Sequence, residues 1–213
     1  MQAGMQPSKP LSVAINGDGG VSITAARAAW LRGDFEACLQ HLGALSNCGE
    51  NPEALLLYAR ALLRTERAAE VVRVLGDSFA MFEDRDESCT AQMLYASAVA
   101  RSDPARGLAL LAEVSTNAEA KSAHRTIRAE IEYYRGLALW QTGDLEGATR
   151  HVLIAERAHA DVISVRATQL RGFIAIARCE YAAALKLFRE ALSAYHECRE
   201  HDGDVAARIE LQI

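Results

Sequence analysis

The feature that most constrains this chain is a short pattern that occurs twice. Residues 30–35 read WLRGDF and residues 140–145 read WQTGDL. In both copies the glycine permits a sharp turn at the end of a helix, and the aspartate after it can accept hydrogen bonds from the exposed amides of the next helix. Each copy therefore predicts two antiparallel helices joined by a tight turn.

Three further units align with these two at the turn. The aligned turn positions are Gly33, Glu66, Ser102, Gly143 and Cys179, with intervals of 33, 36, 41 and 36 residues. Such spacing is typical of a stacked helical solenoid. We predict an all-α solenoid of about five antiparallel helix pairs in a single domain over residues 24–213. The predicted units are 24–46, 52–78, 88–115, 124–160 and 165–198, with a flexible lead-in over 1–23 and a terminal helix over 204–213.

Proline and small residues make this prediction specific. Pro52 suits the first turn of a helix, and Asp103 with Pro104 forms a cap followed by a proline whose missing amide costs nothing. Close helix packing is expected where a glycine of one helix faces an alanine of its partner. Gly136 is therefore predicted to lie against Ala148 and Ala155, and Gly172 against Ala184.

In these turns and small residues the chain resembles the tetratricopeptide-repeat (TPR) family. The best match to the family's pattern lies between Gly172 and Leu192. The resemblance implies a groove lined by the first helix of each unit. From about Thr24 to Ile213 the chain also resembles the helical-repeat segment of large LuxR-type bacterial regulators related to the maltose regulator. In that family this segment receives a ligand or partner signal, while a separate domain binds DNA.

The groove positions implied by the TPR resemblance combine arginines with aromatic and other large side chains. They are Arg27, Trp30, Arg60, Arg64, Met93, Arg101, Tyr133, Trp140, Arg166, Gln169 and Phe173. Arginine forks bind carboxylates and phosphates, and aromatic residues provide contact area. The expected ligand is therefore a protein, a peptide or a small molecule that is acidic or carries phosphate. The alternative is that these arginines pair with Glu53, Glu130 or Glu132 and only solvate the helices.

Charge and composition limit the partners. The formal net charge is −5 and the pI is near 5.7, which argues against direct binding of nucleic acid or an anionic membrane by this segment. The longest apolar runs are too short to cross a membrane. The five cysteines are scattered without a CxxC pair, as expected for reduced thiols that pack inside a cytoplasmic protein.

Motifs for catalysis and metal binding are missing from the sequence. It contains no GxSxG, HExxH, phosphate-binding loop or dinucleotide fingerprint, so a protein without enzymatic activity or cofactor is predicted. His196, Cys198 and His201 include metal-ligand types, but on a helix only Cys198 and His201 share a face. Cys38 and His41 have the same three-residue spacing. Neither pair predicts a metal site.

Two functions follow from these sequence features. In the first, the chain is the sensor or interaction segment of a larger bacterial transcriptional regulator and acts in signalling. In the second, it is a stand-alone TPR scaffold that assembles protein complexes or associates with itself through the terminal helix. The length of the open reading frame separates the two hypotheses.

Overall fold

The computed structural model describes residues 19–45, 48–120, 124–158 and 161–197. Within these ranges the chain forms ten α-helices and no strand, which confirms the predicted fold class. The helices are α1 (Gly19–Leu31), α2 (Phe35–Gly43), α3 (Pro52–Arg64), α4 (Ala68–Gly76), α5 (Arg85–Ser102), α6 (Pro104–Ala120), α7 (Arg125–Gln141), α8 (Leu145–Glu156), α9 (Asp161–Ala177) and α10 (Tyr181–Glu197). The predicted terminal helix, residues 1–18 of the predicted lead-in, Cys198 and His201 lie outside the described residues.

The ends of some helices differ from the prediction, whereas the pairing of the helices agrees with it. Helix α1 begins at Gly19 although the lead-in was expected to reach residue 23, and α6 continues to Ala120 beyond its predicted unit. Helix α5 begins at Arg85 because the Asp84 carboxylate accepts hydrogen bonds from the amides of Asp86 (2.8 Å) and Glu87 (3.0 Å). Hydrophobic periodicity does not predict a helix start of this kind, because the first residues of α5 are polar.

The helices form two layers. Each helix packs against the next one in sequence, and the odd-numbered helices also pack against one another, α1 on α3, α3 on α5, α5 on α7 and α7 on α9. The odd-numbered helices, which are the first helices of the units, therefore form one continuous inner layer. Helix α5 lies at the centre, where α3, α4, α6 and α7 all contact it.

Four of the five turns share one backbone conformation. The residues Gly33, Glu66, Gly143 and Cys179 have φ angles of 75°, 61°, 85° and 62°. At each turn the amide of the next residue donates back to the carbonyl five residues earlier, as Asp34 does to Ala29 (3.0 Å) and Glu180 does to Ala175 (2.9 Å). This left-handed helix ending repeats at the aligned positions. The predicted Asp34 cap is confirmed, since its carboxylate accepts from the Ala37 amide at 3.0 Å.

The turn between α5 and α6 is different. Ser102 was aligned with the other turn residues, but it is the last residue of α5, and Asp103 follows with φ −138° and ψ 86°. Proline disfavours helical conformations in the residue before it, so Pro104 keeps Asp103 extended and the helix ends there. The Asp103 carboxylate accepts from the Arg106 amide at 3.0 Å, which confirms the predicted cap.

The left-handed turns give a first testable prediction. Glu66→Gly and Cys179→Gly should each raise the free energy of unfolding by about 0.5–1 kcal/mol, because only glycine adopts a positive φ without a steric cost. Thermal melting measures this gain. The matched variant Glu66→Ala should give no gain, since alanine keeps the β-carbon. A gain from alanine equal to that from glycine would contradict the explanation.

Glycines at the helix contacts confirm the predicted contact of Gly136 with Ala148. A β-carbon on Gly136 would lie 3.2 Å from the Ala148 carbonyl oxygen, as predicted, and 2.5 Å from Val152 Cγ2. A β-carbon on Gly172 would overlap the ring of Phe188, which is the nearest side chain to this glycine, while the contact between Gly172 and Ala184 stays a prediction. The larger side chain extends across the helix contact and occupies the space that the glycine leaves.

Candidate binding groove

A cavity of about 260 Å³, here called the inner cavity, opens on the layer of odd-numbered helices. It is lined by residues of α3, α5, α7 and α9 and of the turn after α3: Leu63, Arg64, Glu66, Arg101, Tyr133, Tyr134, Leu137, Trp140, Gln141, Arg166, Gln169, Leu170 and Phe173. Seven predicted groove residues are among them: Arg64, Arg101, Tyr133, Trp140, Arg166, Gln169 and Phe173. The structure therefore brings these seven together around one space.

Helical periodicity explains why α7 and α9 contribute most of the lining. On α9 the lining residues are Arg166, Gln169, Leu170 and Phe173, spaced as one face of a helix. On α7 the predicted Tyr133 and Trp140 are joined by three residues that the prediction missed, Tyr134, Leu137 and Gln141. Leu137 and Gln141 follow Tyr133 by four and eight residues, so the same periodicity could have found them.

Aromatic rings hold the side chains of the inner cavity. The Trp140 and Phe173 rings lie with centroids 5.7 Å apart, and the Arg166 guanidinium carbon lies 4.9 Å from the centre of the Tyr133 ring. Outside the cavity, the Phe35 ring lies 5.1 Å from the Arg64 guanidinium carbon. Stacking on a ring limits the rotation of a guanidinium group.

The charge of the inner cavity is opposite to that of the whole chain. Its lining contains three arginines, Arg64, Arg101 and Arg166, and one carboxylate, Glu66, whereas the formal net charge of the chain is −5. An adjoining depression of about 420 Å³ shares Arg101, Glu66 and two other lining residues and reaches Pro104 at the start of α6. The lining of the two spaces together, here called the cationic surface, contains these three arginines and one carboxylate.

Arg60 does not belong to this surface. Its guanidinium group makes two hydrogen bonds to the Glu130 carboxylate, of 2.7 and 2.9 Å, and thereby joins α3 to α7. Burial alone would raise the pKa of Glu130, but the charges of Arg60 and Arg166 outweigh it and keep that pKa below its usual range. The alternative of a pairing arginine is confirmed here, so Arg60 has a structural role.

Three other predicted groove residues lie elsewhere. Arg27 forms an exposed ion pair with Glu53, again as the alternative expected. Trp30 packs against Phe35, with ring centroids 5.0 Å apart, and does not line the inner cavity. Met93 is fully buried, because α5 is enclosed by four other helices, so the prediction that it contacts a ligand was wrong.

Two thiols are poorly suited to reaction. Burial, together with the charge of Asp34, raises the pKa of Cys38 to about 11, and burial raises the pKa of Cys48 to about 11. Since the thiolate is the reactive form, neither thiol is activated at neutral pH. Cys179 was predicted to pack inside the protein, but it is exposed at the turn before α10, so this prediction was wrong.

A metal site would require side chains of metal-ligand types to meet in the portion of the chain that the structure describes. There, no three His, Cys, Asp or Glu side chains form a group that could hold a metal ion. Cys38 is buried, whereas His41 is exposed. Of the helices in the described ranges, none has the length and apolar character needed to cross a membrane.

Comparison with solved structures identifies the fold. Protein TTC0263 of Thermus thermophilus, a thermophilic TPR protein, superposes with a TM-score of 0.64 and 18% sequence identity. The alignment covers 92% of this chain and 98% of that protein. The chain has a TPR-like fold. At this identity the similarity shows the fold alone.

Weaker similarities were also found. MamA of Desulfovibrio magneticus RS-1 gives a TM-score of 0.49 at 17% identity, covering 86% of this chain and 98% of that one. The TPR2AB domain of yeast Sti1, solved in a complex with pHSP90, gives 0.41 at 14% identity, covering 91% and 96%. No family model matches the sequence, and no curated protein matches it significantly.

Proposed function

We propose that this TPR-like chain is a non-catalytic binding module whose inner cavity recognises an acidic segment of a protein or peptide. One observation carries the proposal. Arg64, Arg101 and Arg166 surround a space lined by Trp140, Phe173 and other apolar side chains. Guanidinium groups bind carboxylates and phosphates, and the aromatic surface suits an apolar side chain between them.

The shape of the surface favours a peptide over a small anion. The inner cavity continues into the adjoining depression through Arg101 and the other shared residues, so a bound segment can extend beyond the inner cavity. An extended segment with an apolar residue flanked by carboxylates or phosphates can contact both spaces. Its acidic groups would meet Arg166 and Arg101, while its apolar side chain would contact Trp140 and Phe173.

Arg101 gives the sharpest test, because it is exposed and lines both spaces. The chain has two tryptophans, Trp30 and Trp140, so Trp30→Phe leaves Trp140 as a fluorescent probe inside the inner cavity. In that background we expect the peptide acetyl-EELEE-amide to change Trp140 emission, and Arg101→Glu to weaken its binding roughly tenfold through loss and reversal of a charge-assisted contact.

Controls separate this site from general charge effects. Arg150→Glu makes the same charge change at an exposed position of α8 outside both spaces, and it should leave the affinity within twofold. The peptide acetyl-KKLKK-amide should not bind, and added salt should weaken the acidic peptide. Equal losses for Arg101→Glu and Arg150→Glu, or binding of both peptides alike, would overturn the proposal.

We place this module in a larger cytoplasmic bacterial transcriptional regulator, as its sensor or interaction segment, on the resemblance of its repeats to those of LuxR-type regulators. The observation that tests this placement is an open reading frame that continues into further repeats and a DNA-binding helix-turn-helix. A stop codon directly after Ile213 would favour the stand-alone scaffold. Self-association through residues 204–213 remains a prediction, which light scattering of a variant lacking them would test.

A further inference from the structure

A second cavity of about 360 Å³ lies between α6, α7 and α8 and shares no residue with the inner cavity. Its lining residues are Ser115 of α6, Arg125, Arg128, Ala129, Glu132 and Arg135 of α7, and His151, Ile154 and Ala158 of α8 and the turn after it. The α7 residues that line it lie on a different face of that helix from Tyr133, Leu137 and Trp140. The two cavities are therefore independent surfaces.

Positive charge accumulates along one face of α7. Arg125, Arg128 and Arg135 follow a spacing of three and seven residues, which aligns their side chains on a helix, and all three line the second cavity. Like charges three residues apart destabilise a helix slightly. The repulsion between Arg125 and Arg128 therefore does not stabilise α7.

Glu132 provides the carboxylate in this lining, and both of its oxygens have a partner. One of its oxygens accepts from Arg135 at 2.9 Å, and the other lies 2.6 Å from His151 Nδ1. Although burial alone would raise the pKa of Glu132, the His151 hydrogen bond and the Arg135 charge keep it below the usual range. Glu132 thus remains ionised and holds Arg135 and His151 in place.

The other two arginines are differently placed. Arg125 donates to the backbone carbonyl of Arg157 at 3.3 Å, which leaves its positive charge uncompensated. Within the described ranges, no carboxylate lies within ion-pair distance of Arg125 or Arg128. A cavity with two such guanidinium groups favours an anion with several oxygens.

The second cavity also has an apolar part, here called its apolar wall, formed by Ile154, Ala129 and Ala158. Ile154 is 48% exposed, which is unusual for a large aliphatic side chain, and Ala129 and Ala158 lie beside it in the lining. An inorganic ion would leave this wall in contact with water. A ligand with an anionic head and a small apolar group would contact the arginines and Ile154 together.

We propose that the second cavity binds a small organic anion, a phosphate or carboxylate attached to a compact apolar group. Arg125 and Arg128 hold the anionic head, and Ile154 contacts the apolar group. The site lies outside the groove of the inner layer, so a ligand here could bind at the same time as a peptide there. The proposal does not depend on the function proposed for the inner cavity.

Phenyl phosphate is a suitable probe, and the Ile154 methyl group is a suitable reporter. In the full chain with ¹³C-labelled isoleucine methyl groups, the Ile154 signal is assigned by its loss in Ile154→Val. Phenyl phosphate should shift this signal in a saturable way, because an aromatic ring against the methyl group changes its local field. Arg128→Glu should weaken the binding roughly tenfold.

Two controls decide whether the binding has the stated chemistry. Arg150→Glu, on the same outer helix as Ile154 but outside the second cavity, should leave the affinity unchanged. Ile154→Ala should weaken phenyl phosphate in calorimetry severalfold while inorganic phosphate keeps its affinity. A linear, unsaturable shift, or equal losses for Arg128→Glu and Arg150→Glu, would overturn the proposal. Equal affinity of phenyl phosphate for wild type and Ile154→Ala would overturn the apolar contact.

Discussion

Arg60→Met is expected to lower the free energy of unfolding by about 3 kcal/mol, because it leaves the Glu130 carboxylate buried without its partner. Glu130 is 6% exposed, and its two hydrogen bonds to Arg60 connect α3 with α7 across the centre of the solenoid. The positive charge of Arg166 still acts on Glu130 and limits the loss. In a chain of this length the melting temperature should fall by roughly 6–12 °C.

The double variant Arg60→Met/Glu130→Met is the matched control. It removes both charges and keeps side chains of similar length, so most of the lost stability should return. Thermal unfolding of wild type, the single variant and the double variant, followed by circular dichroism, measures these stabilities. A double variant no more stable than Arg60→Met would show that the cost comes from lost packing and not from an unpaired charge.

The pH dependence of stability follows from the same ion pair. The pKa of Glu130 is lower in the folded chain than its ordinary value of about 4.3, so the unfolded chain binds protons more readily as the pH falls. The stability from this pair is fully present above the ordinary value and is lost as the pH falls through the lower folded pKa. When the pH falls from about 5 to about 3, the free energy of unfolding should therefore decrease more for wild type than for the double variant.

Gly107→Ala should destabilise the protein by about 2–3 kcal/mol through overpacking. A β-carbon at this position would overlap the backbone of Ala100, where α6 packs against α5. Backbone atoms cannot rotate away as a flexible side chain does, so the two helices must separate to accept the added methyl group. Denaturant unfolding measures the loss.

Gly43→Ala makes the same chemical change where a β-carbon would meet nothing within 4 Å. Since alanine favours helix over glycine, this control should be neutral or more stable by up to about 1 kcal/mol. Similar unfolding free energies for the Gly107 and Gly43 variants would mean that α5 and α6 are not in such close contact.

The turns illustrate how much could be predicted from residue patterns. The aligned positions Gly33, Glu66, Gly143 and Cys179 have the same left-handed conformation, although two of them are not glycine. The prediction failed at Ser102, where the residue two positions later is proline and the helix ends in a different way. In each case the deciding contacts lie within a few residues along the chain.

The candidate site was predictable only in part. The TPR resemblance placed Arg166, Gln169 and Phe173 in the groove, and these residues line the inner cavity together. The same reasoning assigned Arg60 to the groove, where Glu130 in fact binds it from a position 70 residues away in sequence. The second cavity was not predicted, because its residues belong to three helices with no common motif.

Helix pairs and most turns of this protein are determined by residues near one another in sequence, since helical hydrogen bonds and caps span no more than about five residues. Charge and burial depend instead on how successive pairs stack. The stacking encloses Met93 within α5, couples Arg60 to Glu130, and leaves Arg101 exposed beside the aromatic residues of the inner cavity. Only tertiary structure decides these outcomes, because the groups that meet are dozens of residues apart and their distances depend on the packing of whole helices.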